Sequence, residues 1–399
     1  MMALRSSRLL PLVAVVLSLA AGCGGNAATS QPPRTPTKHE DASNQIFGPR
    51  AQGTARELRA KAEEAILAQR WQDAVDALEP LLGGDPQAAN DPQLVYDLAL
   101  AYEGVGAREK ARERYRELSR RFPSDANARS AVVREVSLDA YLEDWPALGA
   151  LGEALLAKDG ADPAERMLGY GARGLARSYA GDEAGAFRDV NTGLELVDEH
   201  RYGATGQLPV AAAMLKFGLG EVRKARSEKI SLNPPGADFV QKLELRCMHL
   251  LDAQAAYADA IRSVDPHWAA MAGYRVGEMY RQLHEHLMNI PPNEKAKTES
   301  DKQLFYGIMH VRYRVLLEKG IEMMKRTLSL GERTGAASAW MKRAEESQAA
   351  MEKALEEEKV QLAKYPFTEA ELQKALELMK RNYDKQQEKD AKVAPKPKT

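Results

Sequence analysis

The stretch DPQLVYDLALAYEGVGAREKARERYRELSRRFP, from Asp91 to Pro123, constrains the chain more than any other because it holds one complete helix-turn-helix unit. Leu98, Ala99 and Tyr102 fall at i, i+1 and i+4, so they share one helical face. After a turn from Gly104 to Gly106, Ala111, Tyr115 and Leu118 mark the inner face of a second helix, and Pro123 stops it. With Pro92 as position one, these residues stand at seven, eight, eleven, twenty, twenty-four, twenty-seven and thirty-two. Small side chains at eight and twenty let the helices touch. The large ones fill what is left.

This spacing resembles the tetratricopeptide (TPR) unit of about 34 residues. A single unit cannot bury its apolar faces alone, so copies must flank it. Upstream, Ala62, Ala65, Ala74, Leu78, Leu81 and Pro86 keep the spacing, although Lys61 holds a position that should be apolar. Downstream, Val136, Leu148 and Leu155 continue it weakly, with Trp145 at the inter-helix turn. A fourth copy places Leu175, Ala176, Tyr179, Ala186 and Val190 in register if two residues are missing from its turn. Val276, Gly277 and Tyr280 restore the first-helix pattern far along the chain. The resemblance implies an all-α, TPR-like helical-repeat solenoid.

The N-terminus carries a different signal. Arg5 and Arg8 precede an apolar run from Leu9 to Ala21, which ends in small residues at Ala20-Ala21-Gly22-Cys23. This is similar to a bacterial lipoprotein signal, with Ala20 where leucine is commoner. The resemblance implies that Cys23 is diacylated, becomes the new N-terminus and gains a third, palmitate-type chain. Such chains, at ~0.8 kcal/mol per buried CH₂, hold a protein firmly on a membrane. Gly24, rather than aspartate, favours the outer membrane by analogy, with the protein facing the periplasm. An ordinary cleaved secretory signal is the alternative; the run is short for a spanning helix, which needs ~20 apolar residues. Only Cys247 remains as a second cysteine, so no intrachain disulfide is expected, and its place in LELRCMHLL predicts a buried, inert thiol.

The chain therefore divides into a signal peptide at 1–22, a disordered linker at 23–54 rich in small, polar and proline residues, and TPR repeats at 55–202. Divergent TPR-like helical repeats follow at 203–365, then a C-terminal helix at 366–388 and a disordered basic tail at 389–399. Asp85-Pro86, Phe122-Pro123 and Asp162-Pro163 mark breaks between helices, and Thr368 with Glu371 forms a capping box. The features FGLGE, WAAMAGYRVGEMY and Ser338-Ala339-Trp340 resemble an arrangement in myxobacterial TPR envelope proteins, some associated with gliding motility.

Chemistry finds little foothold. With 56 basic against 57 acidic residues the chain has no nucleic-acid signature. GYGARG, Gly169 to Gly174, is a literal GxGxxG, but no strand precedes it, and glycines that permit close helix packing are the expected reading. His284 and His286 point to opposite sides of a helix and cannot share a metal; a surface pair is expected. The run Glu356-Glu357-Glu358 reads as a solvated face with lysine partners. No nucleophile elbow or SxxK context occurs, so no catalytic residue, metal, cofactor or small-molecule substrate is assigned.

The TPR resemblance does imply a groove lined by first helices, with ligand contacts at positions two, five, nine and twelve. Carried over, these include Gln93, Tyr96, Leu100 and Glu103; Ser130, Val133 and Ser137; and Tyr170, Arg173 and Arg177. Two guanidiniums at i and i+4 beside an aromatic suit a carboxylate or acidic segment; pairing with Glu165, Asp182 or Glu183 is the competing use. The partner-binding set is thus Tyr96, Leu100, Glu103, Tyr170, Arg173 and Arg177, with Cys23 as lipidation site. The expected function is a non-enzymatic, lipid-anchored scaffold for envelope proteins, within a motility complex. An outer-membrane assembly or pilotin-type lipoprotein, and a peptidoglycan-linked accessory or enzyme, are the alternatives. Lys392, Lys396 and Lys398 offer a tail contact to an anionic wall or lipid.

Overall fold

The computed structural model describes residues 54–202, 210–236, 238–262, 265–292, 294, 296–334 and 339–393. Cys23, the signal segment and nearly all of the linker lie outside the described residues. Among the described residues there are fifteen helices and no strand, and each helix packs chiefly on a neighbour in the chain except the last, which packs on the helix two before it. The chain is all-α with TPR-like helical repeats, as the spacing predicts. Two compact units divide it, one ending at Asp182 and the other beginning at Glu183, inside the turn of the fourth expected repeat.

The first unit contains α1 (Ala55–Leu67), α2 (Trp71–Gly84), the one-turn α3 (Pro86–Ala89), α4 (Pro92–Gly104) and α5 (Arg108–Arg121). It continues with α6 (Ala126–Tyr141), α7 (Trp145–Ala157) and α8 (Pro163–Tyr179). Each start has a local cause. At α4, the Asp91 side chain accepts from the Gln93 amide and Pro92 needs no donor partner in the first turn. Asp162 and Glu165 close a capping box at α8, where Pro163 leads. Gly106, at φ +80°, makes the tight turn from α4 to α5.

The core of this unit is the set of repeat positions read from the sequence: Ala62, Ala65, Ala74, Leu78, Leu98, Ala99, Tyr102, Ala111, Tyr115 and Leu118 are all buried. GYGARG lies inside α8, and a Cβ at Gly169 would stand 3.1 Å from the Gly152 carbonyl of α7. The glycines serve close helix packing.

The second unit contains α9 (Glu183–Glu199), α10 (Val210–Glu228), α11 (Phe239–Ile261), α12 (Pro266–Met288), α13 (Glu299–Thr334), α14 (Ala339–Leu362) and α15 (Glu369–Val393). Its helices are longer, and Trp268, Tyr257, Tyr313 and Trp340 are fully buried. Thr368 and Glu371 form the expected capping box before α15. That helix takes in the first residues of the expected tail; 394–399, with Lys396 and Lys398, lie outside the described residues. Cys247 is buried, and burial pushes its thiol up to about 11, so it stays protonated and inert. No described helix is long and apolar enough to cross a membrane.

Two expectations fail here. His284 is buried rather than on the surface, and its Nε2 donates to Glu358 Oε1 at 2.6 Å. Glu358 is likewise buried, while Glu356 and Glu357 keep the expected lysines, Lys359 and Lys353. The cause is long range: His284 of α12 and His310 of α13, whose Nδ1 is 3.2 Å from the same oxygen, fold onto a carboxylate of α14. Burial raises the Glu358 carboxyl, but the two imidazoles outweigh it and hold it below the usual carboxylate range.

Candidate functional site

Of the groove positions of α4, Gln93 is exposed while Tyr96, Leu100 and Glu103 are half-buried, and their surroundings are more tightly bonded than the sequence suggests. Tyr96 meets Tyr115 edge to face, with ring centroids 5.6 Å apart. Arg134 of α6 reaches over from the next repeat. Its Nε donates to the Tyr96 hydroxyl at 3.2 Å and its Nη1 to Glu103 Oε2 at 2.8 Å. The Tyr115 hydroxyl donates to the same Glu103 oxygen at 3.0 Å.

This network sets the charges. Burial, and then the Glu103 carboxylate, raise the Tyr115 phenol above its ordinary range, so it remains a donor. Burial opposes the Arg134 charge, but the oxygens of Tyr115, Glu103 and Tyr96 outweigh it and hold the guanidinium protonated. Glu103 is therefore occupied as an internal acceptor. What α4 and α6 offer outward is the Tyr96 ring, the half-buried Leu100 side chain and the flank of a fixed guanidinium. Such a surface can bind an apolar or aromatic group.

On α8, Tyr170, Arg173 and Arg177 are also half-buried. The Arg173 guanidinium lies 5.7 Å from the Tyr170 ring centroid, a cation–π distance. Arg177 Nε stands 3.9 Å from Asp182 Oδ2, so the competing use holds in part for Arg177. Glu165 instead takes Lys158 at 2.6 Å, and Glu183 takes Arg226 and Lys229. The structure thus joins Tyr96 to Glu103 through Arg134, and Tyr170 to Arg173 directly.

Sequence reasoning missed Arg134 because it stands at position six, between the usual contact positions. It also missed a buried ionic joint between α5 and α6. Glu135 and Asp139 of α6 stand at positions seven and eleven, where α4 carries Leu98 and Tyr102, and both are buried. Arg116 Nε donates to Glu135 Oε1 at 2.6 Å, and Arg112 Nη1 to Asp139 Oδ1 at 3.2 Å. The signal available was the weakness of the third repeat itself. In the second unit, Glu221 similarly accepts from the Tyr257 hydroxyl at 2.7 Å and pairs with Arg275 at 3.0 Å. No group of three or more His, Cys, Asp or Glu side chains among the described residues has metal-holding geometry.

Neither a protein-family model nor a curated protein matches the sequence. Among solved structures, the crystal structure of the APC/C hetero-tetramer Cut9-Hcn1 is similar over 83% of this chain and 71% of that chain, at 15% identity and a TM-score of 0.27. A score that low fixes no residue correspondence. The helix order and the buried repeat positions themselves make this a TPR-like helical-repeat protein.

Proposed function

We propose that this chain is a scaffold, not an enzyme, which binds other envelope proteins through the first-helix faces of residues 54–182. A TPR-like array presents one exposed inner face per repeat, and proteins of this build bind other proteins there. The observation that carries the reading is the outward face of α4 and α6, where Tyr96 is fixed by Arg134 and Tyr115 beside the half-buried Leu100. A rigid aromatic beside an aliphatic group is the composition of a binding hot spot, and immobilising it beforehand lowers the entropy lost on association. Tyr170 with Arg173 supplies a second anchor, suited to an acidic or carboxylate-bearing segment of the partner.

The location rests on the sequence alone. Acyl chains on Cys23 would tether the scaffold to the outer membrane facing the periplasm, with the 23–54 linker holding the helices clear of lipid. The resemblance to myxobacterial TPR envelope proteins favours a place in a motility complex; an outer-membrane assembly or pilotin-type role is the second reading.

Crosslinking in cells with identification of the captured proteins tests both parts. Leu100→Glu, which removes no internal hydrogen bond, and Arg173→Glu should each cut partner recovery at least about tenfold. Cys23→Ser should move the protein from the membrane to the soluble fraction. Unaltered recovery in both groove variants puts the binding face elsewhere, and Cys23→Ser protein that stays on the membrane removes the lipid tether.

A further inference from the structure

The α5–α6 joint has more negative charge than its cations can satisfy. Arg112 Nη1 is divided between Asp139 Oδ1 at 3.2 Å and Asp144 Oδ2 at 2.9 Å. Arg116 is divided between Glu135 Oε1 at 2.6 Å and Asp139 Oδ1 at 3.5 Å. Three carboxylates therefore share two guanidiniums, and Asp139 holds the longer bond of each pair. Its Oδ2 is buried with no hydrogen-bond partner, and Arg112 Nε is in the same state. A side chain with 0% exposure and one orphaned oxygen is the least well compensated charge in the joint.

Asp144 links this deficit to the next helix. Its Oδ1 accepts from the Ala147 amide at 3.2 Å and so caps α7, whose first residue, Trp145, stacks on Tyr179 of α8 at 3.8 Å and 4°. An open cleft of roughly 420 Å³, lined by Glu109, Arg112, Leu142, Glu143, Asp144 and Pro146, gives solvent a route to Arg112. Glu109 and Glu143 add two further carboxylates to the lining of that cleft. Arg108 of α5 lies over the Tyr141 ring at 4.0 Å, and Arg134 of α6 is engaged with Glu103 of α4.

We propose that this joint is a proton-operated hinge: a proton taken up by Asp139 passes Arg112 wholly to Asp144 and resets the start of α7 against α6. The proton comes from water and ends on the orphaned Oδ2, which then becomes a donor; nothing else is exchanged. Burial, reinforced by the Glu135 charge and opposed by Arg116 and Arg112, pushes the Asp139 carboxyl up to about 6. The exchange therefore falls within a mildly acidic range, where an exposed aspartate would stay ionised.

Trp145 sits where the movement arrives. In the full chain carrying 5-fluorotryptophan there are four fluorine signals, from Trp71, Trp145, Trp268 and Trp340, and Trp145→Phe assigns the second. On titration from about pH 7.5 to about pH 5, the Trp145 resonance should move with a midpoint near 6 while the other three hold. Asp139→Asn should fix it at the acidic position throughout. Glu135→Gln removes the charge that raises Asp139, so the midpoint should fall to lower pH. A Trp145 signal that does not titrate, or that titrates alike in Asp139→Asn, overturns the hinge. Where Asp139→Asn does not fold, an unmoved midpoint in Glu135→Gln overturns it.

Discussion

Two neighbouring joints in the first unit solve the same packing problem with opposite chemistry. Between α4 and α5, Leu98, Ala99 and Tyr102 close against Ala111, Tyr115 and Leu118, none more than 5% exposed. Between α5 and α6, the same register brings Arg112 and Arg116 against Glu135 and Asp139. Apolar burial is non-directional and contributes stability in proportion to area. A buried ion pair returns in Coulomb attraction roughly what desolvation takes, so it adds little net stability but enforces geometry. The first joint therefore holds the unit together. The second one sets an arrangement that solution conditions can change.

The largest effect should come from placing the same residue into each joint. Arg116→Met strands Glu135 beside Asp139 and should cost ~3–5 kcal/mol, the penalty of breaking a buried pair from one side. Leu98→Met conserves volume in the apolar joint and should cost under ~1.5 kcal/mol. Native-state hydrogen exchange of the α4 to α6 amides reads both in the full chain. If Leu98→Met proves the more damaging, the assignment of roles to the two joints is reversed.

The same contrast explains what could be read from sequence. The apolar joint was legible because Leu98, Tyr102, Tyr115 and Leu118 recur at helical spacing, and helical spacing is a local property. The ionic joint was not, because a charged residue at a core position is tolerable only if a distant partner covers it. Arg112 and Asp139 are 27 residues apart, and His284 and Glu358 are 74 apart, so nothing local announces either pairing. The groove was half legible. Tyr96, Leu100 and Glu103 follow from repeat position, whereas Arg134, which turns Tyr96 and Glu103 into one unit, enters from the next repeat.

Converting the second joint to the chemistry of the first sharpens the comparison. The triple variant E135L/D139Y/R116M puts leucine and tyrosine at positions seven and eleven, and should be neutral or more stable by ~1–4 kcal/mol at pH 7.5. It should also lose a pH dependence whose sign is set by Asp139. The folded carboxyl titrates near 6, above the 3.8 of an exposed aspartate, so the folded unit binds the proton more tightly than the unfolded chain. The contribution of Asp139 to stability should therefore rise as pH falls through about 6 towards 4, by roughly 1–3 kcal/mol, and is read as the difference between the native protein and the triple variant. Denaturant unfolding at pH 7.5 and pH 5 checks both statements. A triple variant that keeps the acidic gain would place its source elsewhere in the unit.

The smallest effect separates burial from charge as the cause. Arg59 Nη2 pairs with Asp91 Oδ2 at 2.7 Å, a shorter contact than either bond of Arg112, yet the two side chains are 46% and 28% exposed. Water already solvates both ions, so the pair adds little, and Asp91 keeps its cap on the Gln93 amide without it. Arg59→Ala should change stability by less than ~1 kcal/mol, and the change should shrink further in 0.5 M salt. Equal sensitivity at Arg59 and Arg116 would mean that charge pairing as such, rather than its removal from water, distinguishes the ionic joint from the apolar one.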